Sequence, residues 1–173
     1  MMDITQLILD DHAEQRRLFS LIEQIGADNV EALEAVWGRL SAFLDAHAEA
    51  EERHFYPELL KLGEGANDAE DGTVQGETED AIADHNKLRD AVKAVAAHKV
   101  GSRAWFAAVG AANVVNSKHM GEEERQGLTD FRLNADLQTR HDLGVRFAAF
   151  QARHITGVKP VNKDPEGYVE KHG

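Results

Sequence analysis

The sequence has no cysteine. Disulfides, thiolate nucleophiles and thiolate metal sites are excluded, so any metal must be held by imidazole or oxygen. Proline is scarce, with three in 173 residues, and only Pro57 interrupts residues 4 to 155. That favours long helices. Positive charge is short as well: 19 Lys and Arg against 31 Asp and Glu leave a net charge of −12. An acidic surface repels phosphate backbones and anionic lipid, so neither a nucleic acid nor a membrane is expected as partner. No run approaches the ~20 apolar residues of a membrane span. The start, MMDITQLILDDH, lacks the basic region and apolar stretch of a signal peptide. A cytoplasmic location is therefore expected.

What is present is helical period. Five segments follow it, at about 4–25, 30–55, 77–99, 103–126 and 130–155. Ile4, Leu7, Ile8, Leu18, Phe19 and Ile22 make the first stripe; Leu33, Val36, Leu40, Phe43 and Leu44 make the second. Asp28 or Asn29 can cap the second segment and Ser102 the fourth, while Gly26 and Gly127 read as stops. The acidic, Gly-rich stretch 63–76 reads as a mobile crossover loop. Residues 157–173, with two prolines and mixed charge, read as an irregular tail. Strand alternation is missing. The expected fold is all-α: a four-helix bundle over about 3–126, a fifth helix over about 130–155, and a tail from 157 after a domain spanning 1–156.

The apolar stripes contain polar intruders. His12 lies four residues after Ile8 and seven before Phe19. Leu40, Leu44, His47, Glu51 and His54 follow at steps of three and four, as do Ala81, His85, Leu88 and Val92. Trp105, Val109, Ala112, Asn116, His119 and Glu123 share a face on the fourth segment. At about 100° per residue, a step of four leaves a small offset, so His47 and Glu51 point the same way, as do His119 and Glu123. The chain also repeats itself. HAEAEER at 47–53 resembles HMGEEER at 119–125, and Asp11-His12 matches Asp84-His85.

Two inward carboxylates from opposed helices would repel each other, and each is costly to bury without a partner. A pair of cations removes both problems. Four imidazoles and two bridging carboxylates supply fewer bonds than two five- or six-coordinate ions require. Room is left for a bridging oxo or hydroxo group and at least one open position for a small ligand. Zinc is satisfied by four ligands, and calcium and magnesium avoid imidazole, so iron or manganese suits the set better.

The pattern resembles the haemerythrin-like proteins, or HHE cation-binding domains: a His on helix one, His-x-x-x-Glu on helix two, a His on helix three and His-x-x-x-Glu or a close variant on helix four. Here these fall on His12, His47, Glu51, His85, His119 and Glu123. The resemblance implies an up-and-down bundle and a non-haem centre of two iron ions. It also implies dealings with a small molecule such as peroxide, dioxygen or nitric oxide. The invertebrate carriers have a further His one turn along helix three and a final His and Asp. This chain has Ala81 and Arg89 instead, and His-x-x-x-Glu on helix four. The missing imidazole favours turnover of hydrogen peroxide, a catalase-like oxidoreductase activity. The alternatives are dioxygen binding or redox sensing without turnover, iron buffering, and nitric oxide handling. Glu51 and Glu123 are the expected catalytic carboxylates.

Weaker signals surround the six. His54, one turn past Glu51, is a further catalytic candidate. His141 reads as packed or hydrogen-bonded on the fifth segment. Tyr56 should miss the centre, being 180° from His47 on an ideal helix, unless Pro57 distorts that turn. Tyr168 could fold over an opening. Asp11 and Asp84 could anchor a ligand ring or contact an adjacent helix. Glu52 and Glu124 read as solvated or paired with Arg53 and Arg125, and His98, His154 and His172 as surface or tail residues.

Overall fold

The computed structural model describes residues 1–65 and 72–173. Among them lie eight helices and no strand: α1 (Ile4–Gln24), α2 (Val30–His54), α3 (Tyr56–Leu62), α4 (Val74–Val95), α5 (Arg103–Arg125), α6 (Gly127–Asn134), α7 (Leu137–Arg153) and α8 (Pro165–His172). None of these helices is long and apolar enough to cross a membrane. Side-chain caps start most of them by accepting from orphaned backbone N–H groups. Asp3 accepts from Thr5, Thr73 from Gly76, Ser102 from Trp105 and Asp136 from Thr139. Asn29 stands at the cap position of α2 but makes no such bond.

The ring is formed by α1, α2, α4 and α5. α1 packs on α2 and α5, and α4 packs on the same two. α7 covers α1 and α2, α8 lies on α4 and α3, and α6 lies on α5. Two apolar clusters fill the interior. One holds Ile8, Ala50, Phe55, Ile82, Phe131 and Phe147; the other holds Leu18, Leu44, Leu88, Trp105 and Val109. On α1, α2 and α4 a histidine lies between a residue of one cluster and a residue of the other. The polar positions therefore form a layer sandwiched by apolar packing, which is why each helix buries them rather than solvating them.

The second segment ends where expected, at Phe55, and Pro57, near the start of the short α3, lacks the N–H that would continue α2. Two expectations are corrected. The fifth segment is two helices: Gly127 opens α6 rather than stopping a helix, and extended Ala135 precedes the Asp136 cap of α7. The tail is not wholly irregular, since Asp164 caps α8 by accepting from Gly167, with Pro165 at its first turn. Gly157, at φ +92°, lets the chain leave α7 in close contact with Ala42, a conformation that other residues rarely adopt.

Of the expected crossover loop, residues 66–71 lie outside the described residues, and α4 begins at Val74 rather than near 77. Its first residues are pinned by Asp130, whose carboxylate accepts from the backbone N–H of Glu64 (3.0 Å) and Gly65 (3.1 Å) and from Asn134 Nδ2 (2.7 Å). Asp130→Ala is expected to lower stability by about 1–2 kcal/mol, because three part-buried donors lose a shared carboxylate acceptor. The shift of the urea midpoint measures it.

Candidate metal centre

Four imidazoles and two carboxylates meet in the polar layer. His12 comes from α1, His47 and Glu51 from α2, His85 from α4, and His119 and Glu123 from α5. All six are buried. His12, His47 and Glu51 form one triad and Glu51, His85 and His119 another, each with ligand atoms within 4.8 Å of one another. Glu51 belongs to both. Its Oε1 lies 2.8 Å from His47 Nε2, and its Oε2 lies 3.2 Å from His85 Nε2. Glu123 Oε2 approaches His12 Nε2 at 3.2 Å.

The outward nitrogens of three rings are held by carboxylates. His12 Nδ1 donates to Glu124 (3.0 Å), His47 Nδ1 to Asp11 (2.8 Å) and His85 Nδ1 to Glu52 (2.8 Å). An ionised carboxylate only accepts, so Nδ1 carries the proton in each ring and Nε2 turns a lone pair inward. The centre thus collects lone pairs. Nε2 of His12 and His47, both oxygens of Glu51 and Oε2 of Glu123 are buried without a hydrogen-bond partner. Nε2 of His85 and His119 face each other at 3.0 Å. Acceptors packed this closely repel unless a positive charge stands among them.

Without a metal, that charge is a proton. Burial alone would lower the His47 and His85 pKa values. The Glu51 and Asp11 charges instead carry His47 well above its ordinary value, and Glu51 and Glu52 raise His85 to about 9. His119, buried beside His85 and without a carboxylate on its outer nitrogen, is pushed well down. Metal cations fit the same place with neutral nitrogen and anionic oxygen donors, and they would displace these protons on binding.

Residues 3–129 match the family described as hemerythrin HHE cation binding domain. The chain belongs to that family. No curated protein and no solved structure matches it. As a haemerythrin-family centre, the two His/Glu triads sharing Glu51 are suited to a pair of irons.

The haemerythrin-family repeat extends beyond the inner residues. Glu52 follows Glu51 and holds His85; Glu124 follows Glu123 and holds His12. Both were expected to be solvated or paired with Arg53 and Arg125. Instead each lies about 100° round its helix from the inner Glu and so meets the ring of the neighbouring helix. Glu52 is only 2 % exposed and also takes Arg89 Nη2 (2.7 Å) and Lys163 Nζ. Asp11 reaches an adjacent helix, but Asp84, its counterpart, pairs with Lys87 and Lys118 and holds no ring. The two halves of the centre therefore differ.

Tyr56 corrects the ideal-helix expectation. The break at Phe55 turns it inward, and its hydroxyl donates to Glu123 Oε1 at 2.6 Å. His54 is not brought into the cluster: its half-buried ring packs edge-on against Phe150 of α7. His141 meets the carbonyl of Met2 at 3.3 Å. Tyr168 folds over Glu52 and donates to its carbonyl. Asn116 is an inner polar partner, donating to buried Gln15 at 2.9 Å. His154 stacks on Phe150, His172 lies against Tyr168, and His98 is exposed.

Proposed function

We propose that the chain uses His12, His47, Glu51, His85, His119 and Glu123 to hold two irons and decomposes hydrogen peroxide, two molecules giving two waters and one dioxygen. When bound, the metal pair supplies the two-electron redox change that this reaction needs. The observation that carries the reading is the buried Tyr56 hydroxyl, 2.6 Å from Glu123 Oε1. Cleaving an O–O bond requires a proton at the departing oxygen. Burial and the charges of Glu123 and Glu51 push the Tyr56 pKa well above its ordinary value. The phenol therefore keeps its proton and holds it at the carboxylate. Glu123 Oε2, 3.2 Å from His12 Nε2 and without a hydrogen-bond partner, is the oxygen that would serve as the metal donor. Asp11, Glu52 and Glu124 keep three rings oriented throughout.

Tyr56→Phe is expected to reduce oxygen release from peroxide by at least about tenfold, the low side of what a positioned acid contributes. Iron content should not change. An iron-loaded wild type that binds dioxygen reversibly and leaves peroxide intact would overturn the reading in favour of carriage or sensing. Iron far beyond two per chain would favour buffering.

A further inference from the structure

The layer of ligands must be reached from somewhere, and the fold closes most sides. Over the α1–α2 side lies α7: Phe147 stands edge-on to His47, and Gln151 donates to Asp11. Over Glu52 lie Lys163 and Tyr168 of the tail. On the α4–α5 side there is instead a cleft of about 540 Å³ lined by Tyr56, Ala81, Asp84, Lys118, His119 and Glu123, among others. Three other clefts, at Asp45, at Ile155 and at Lys171, are lined by none of the six candidate ligands.

The cleft sits where the repeat is broken. Asp84, the counterpart of the ring-holding Asp11, is drawn away by Lys87 (2.6 Å) and Lys118 (3.0 Å). Lys118 also reaches Glu122 at 2.8 Å, so one exposed ammonium ties two carboxylates together at the lip. The inner end is formed by His119, Tyr56 and Glu123, all buried. The wall offers hydrogen bonds along its length, unlike the phenylalanines on the α7 side.

We infer that this α4–α5 cleft is the route to the His85–His119 half of the centre for small, uncharged, hydrogen-bonding molecules, with Lys118 setting the charge at its mouth. The substrate class rests on the peroxide reading; the route does not. Hydrogen peroxide finds donors and acceptors throughout the passage, and dioxygen finds none that it can use well. An anion must pass Asp84 and Glu122, which Lys118 bridges, in a lining that also holds Glu77, Asp80, Lys87 and Arg125.

The test is the rate at which azide binds the iron-loaded protein, followed by absorption, with peroxide consumption measured alongside. Ala81→Trp fills the cleft one helical turn from His85 and is expected to slow azide by about tenfold or more, since access limits association. Iron content and the resting spectrum should stay as in wild type. Ala152→Trp, in the cleft beside α7, should leave the azide rate unchanged. Lys118→Glu, a change at an exposed side chain, should slow azide roughly threefold at low salt, lose that effect at high salt, and leave peroxide unaffected. A folded, loaded Ala81→Trp with the wild-type azide rate would overturn the route, as would slowing by Ala152→Trp alone. If Ala81→Trp does not fold, an azide rate indifferent to Lys118→Glu at low salt overturns it. Equal slowing of peroxide and azide by Lys118→Glu would overturn the uncharged class. Wild type that ignores peroxide while the azide results hold would sink the peroxide reading and leave the route standing.

Discussion

Glu51→Ala is expected to empty both halves of the centre at once. Among the described residues Glu51 is the one shared by both triads, and it is fully buried with neither oxygen hydrogen-bonded. Removing it takes away the charge that faces His47 and His85 together and leaves both triads with imidazoles alone, Glu123 being the inner carboxylate that remains. Loss of an outer hydrogen-bond partner typically weakens metal binding about 10–100-fold. Loss of a shared inner carboxylate should exceed the top of that range, and iron per chain after purification should fall close to zero. Glu123→Ala should do less, because Glu123 belongs to neither triad and approaches only His12 closely. Folding without metal should persist in both variants, since the two apolar clusters are untouched. Elemental analysis with circular dichroism decides the matter. A Glu51→Ala protein that still carries two irons would refute the assignment of Glu51.

Glu52→Ala should cost the most stability of any single change proposed for this chain. Burial alone would push the Glu52 carboxyl up. The bond from His85, with Arg89 and Lys163, outweighs that and holds it at about 2, against an ordinary 4.5. A carboxyl depressed on folding adds stability that is present above its unfolded pKa and lost as pH falls through its folded one. The metal-free protein should therefore weaken between about pH 4.5 and pH 2. The shift corresponds to roughly 3 kcal/mol for a group this buried. The variant should lose a similar amount, about 3–5 kcal/mol, at neutral pH, because Arg89 is left buried without its anion. Its acid limb should then be flatter than that of wild type. Denaturant melts of metal-free protein from pH 2 to pH 7 test both statements. Parallel acid limbs would contradict the buried network.

Both effects arise from residues whose types were plain in the sequence but whose partners were not. Helical phase could place His47 over Glu51 and His119 over Glu123, because that relation is internal to one helix and fixed by its pitch. Phase could also say that Glu52 and Glu124 leave the inner face. It could not say that a neighbouring ring waits for them there, since that depends on how two helices lie against each other. Tyr56 shows the same limit. Its angle was correct for an unbroken helix, and the break at Phe55 undid it. Asp136, a capping residue after Ala135, was a local signal that the fifth segment restarts, and periodicity alone passed over it.

By itself, then, the sequence determined the helical class, the polar layer within the apolar stripes, and a ligand set free of sulfur. These depend on residue type and on a repeat of 3.6 residues per turn, both local properties. Only the tertiary structure decided which carboxylate holds which ring, that Tyr56 donates to Glu123, that the tail closes over Glu52, and that α7 covers one side while a cleft opens on the other. Those are contacts between segments distant along the chain, made by packing many apolar side chains at once, and no spacing within one helix encodes them.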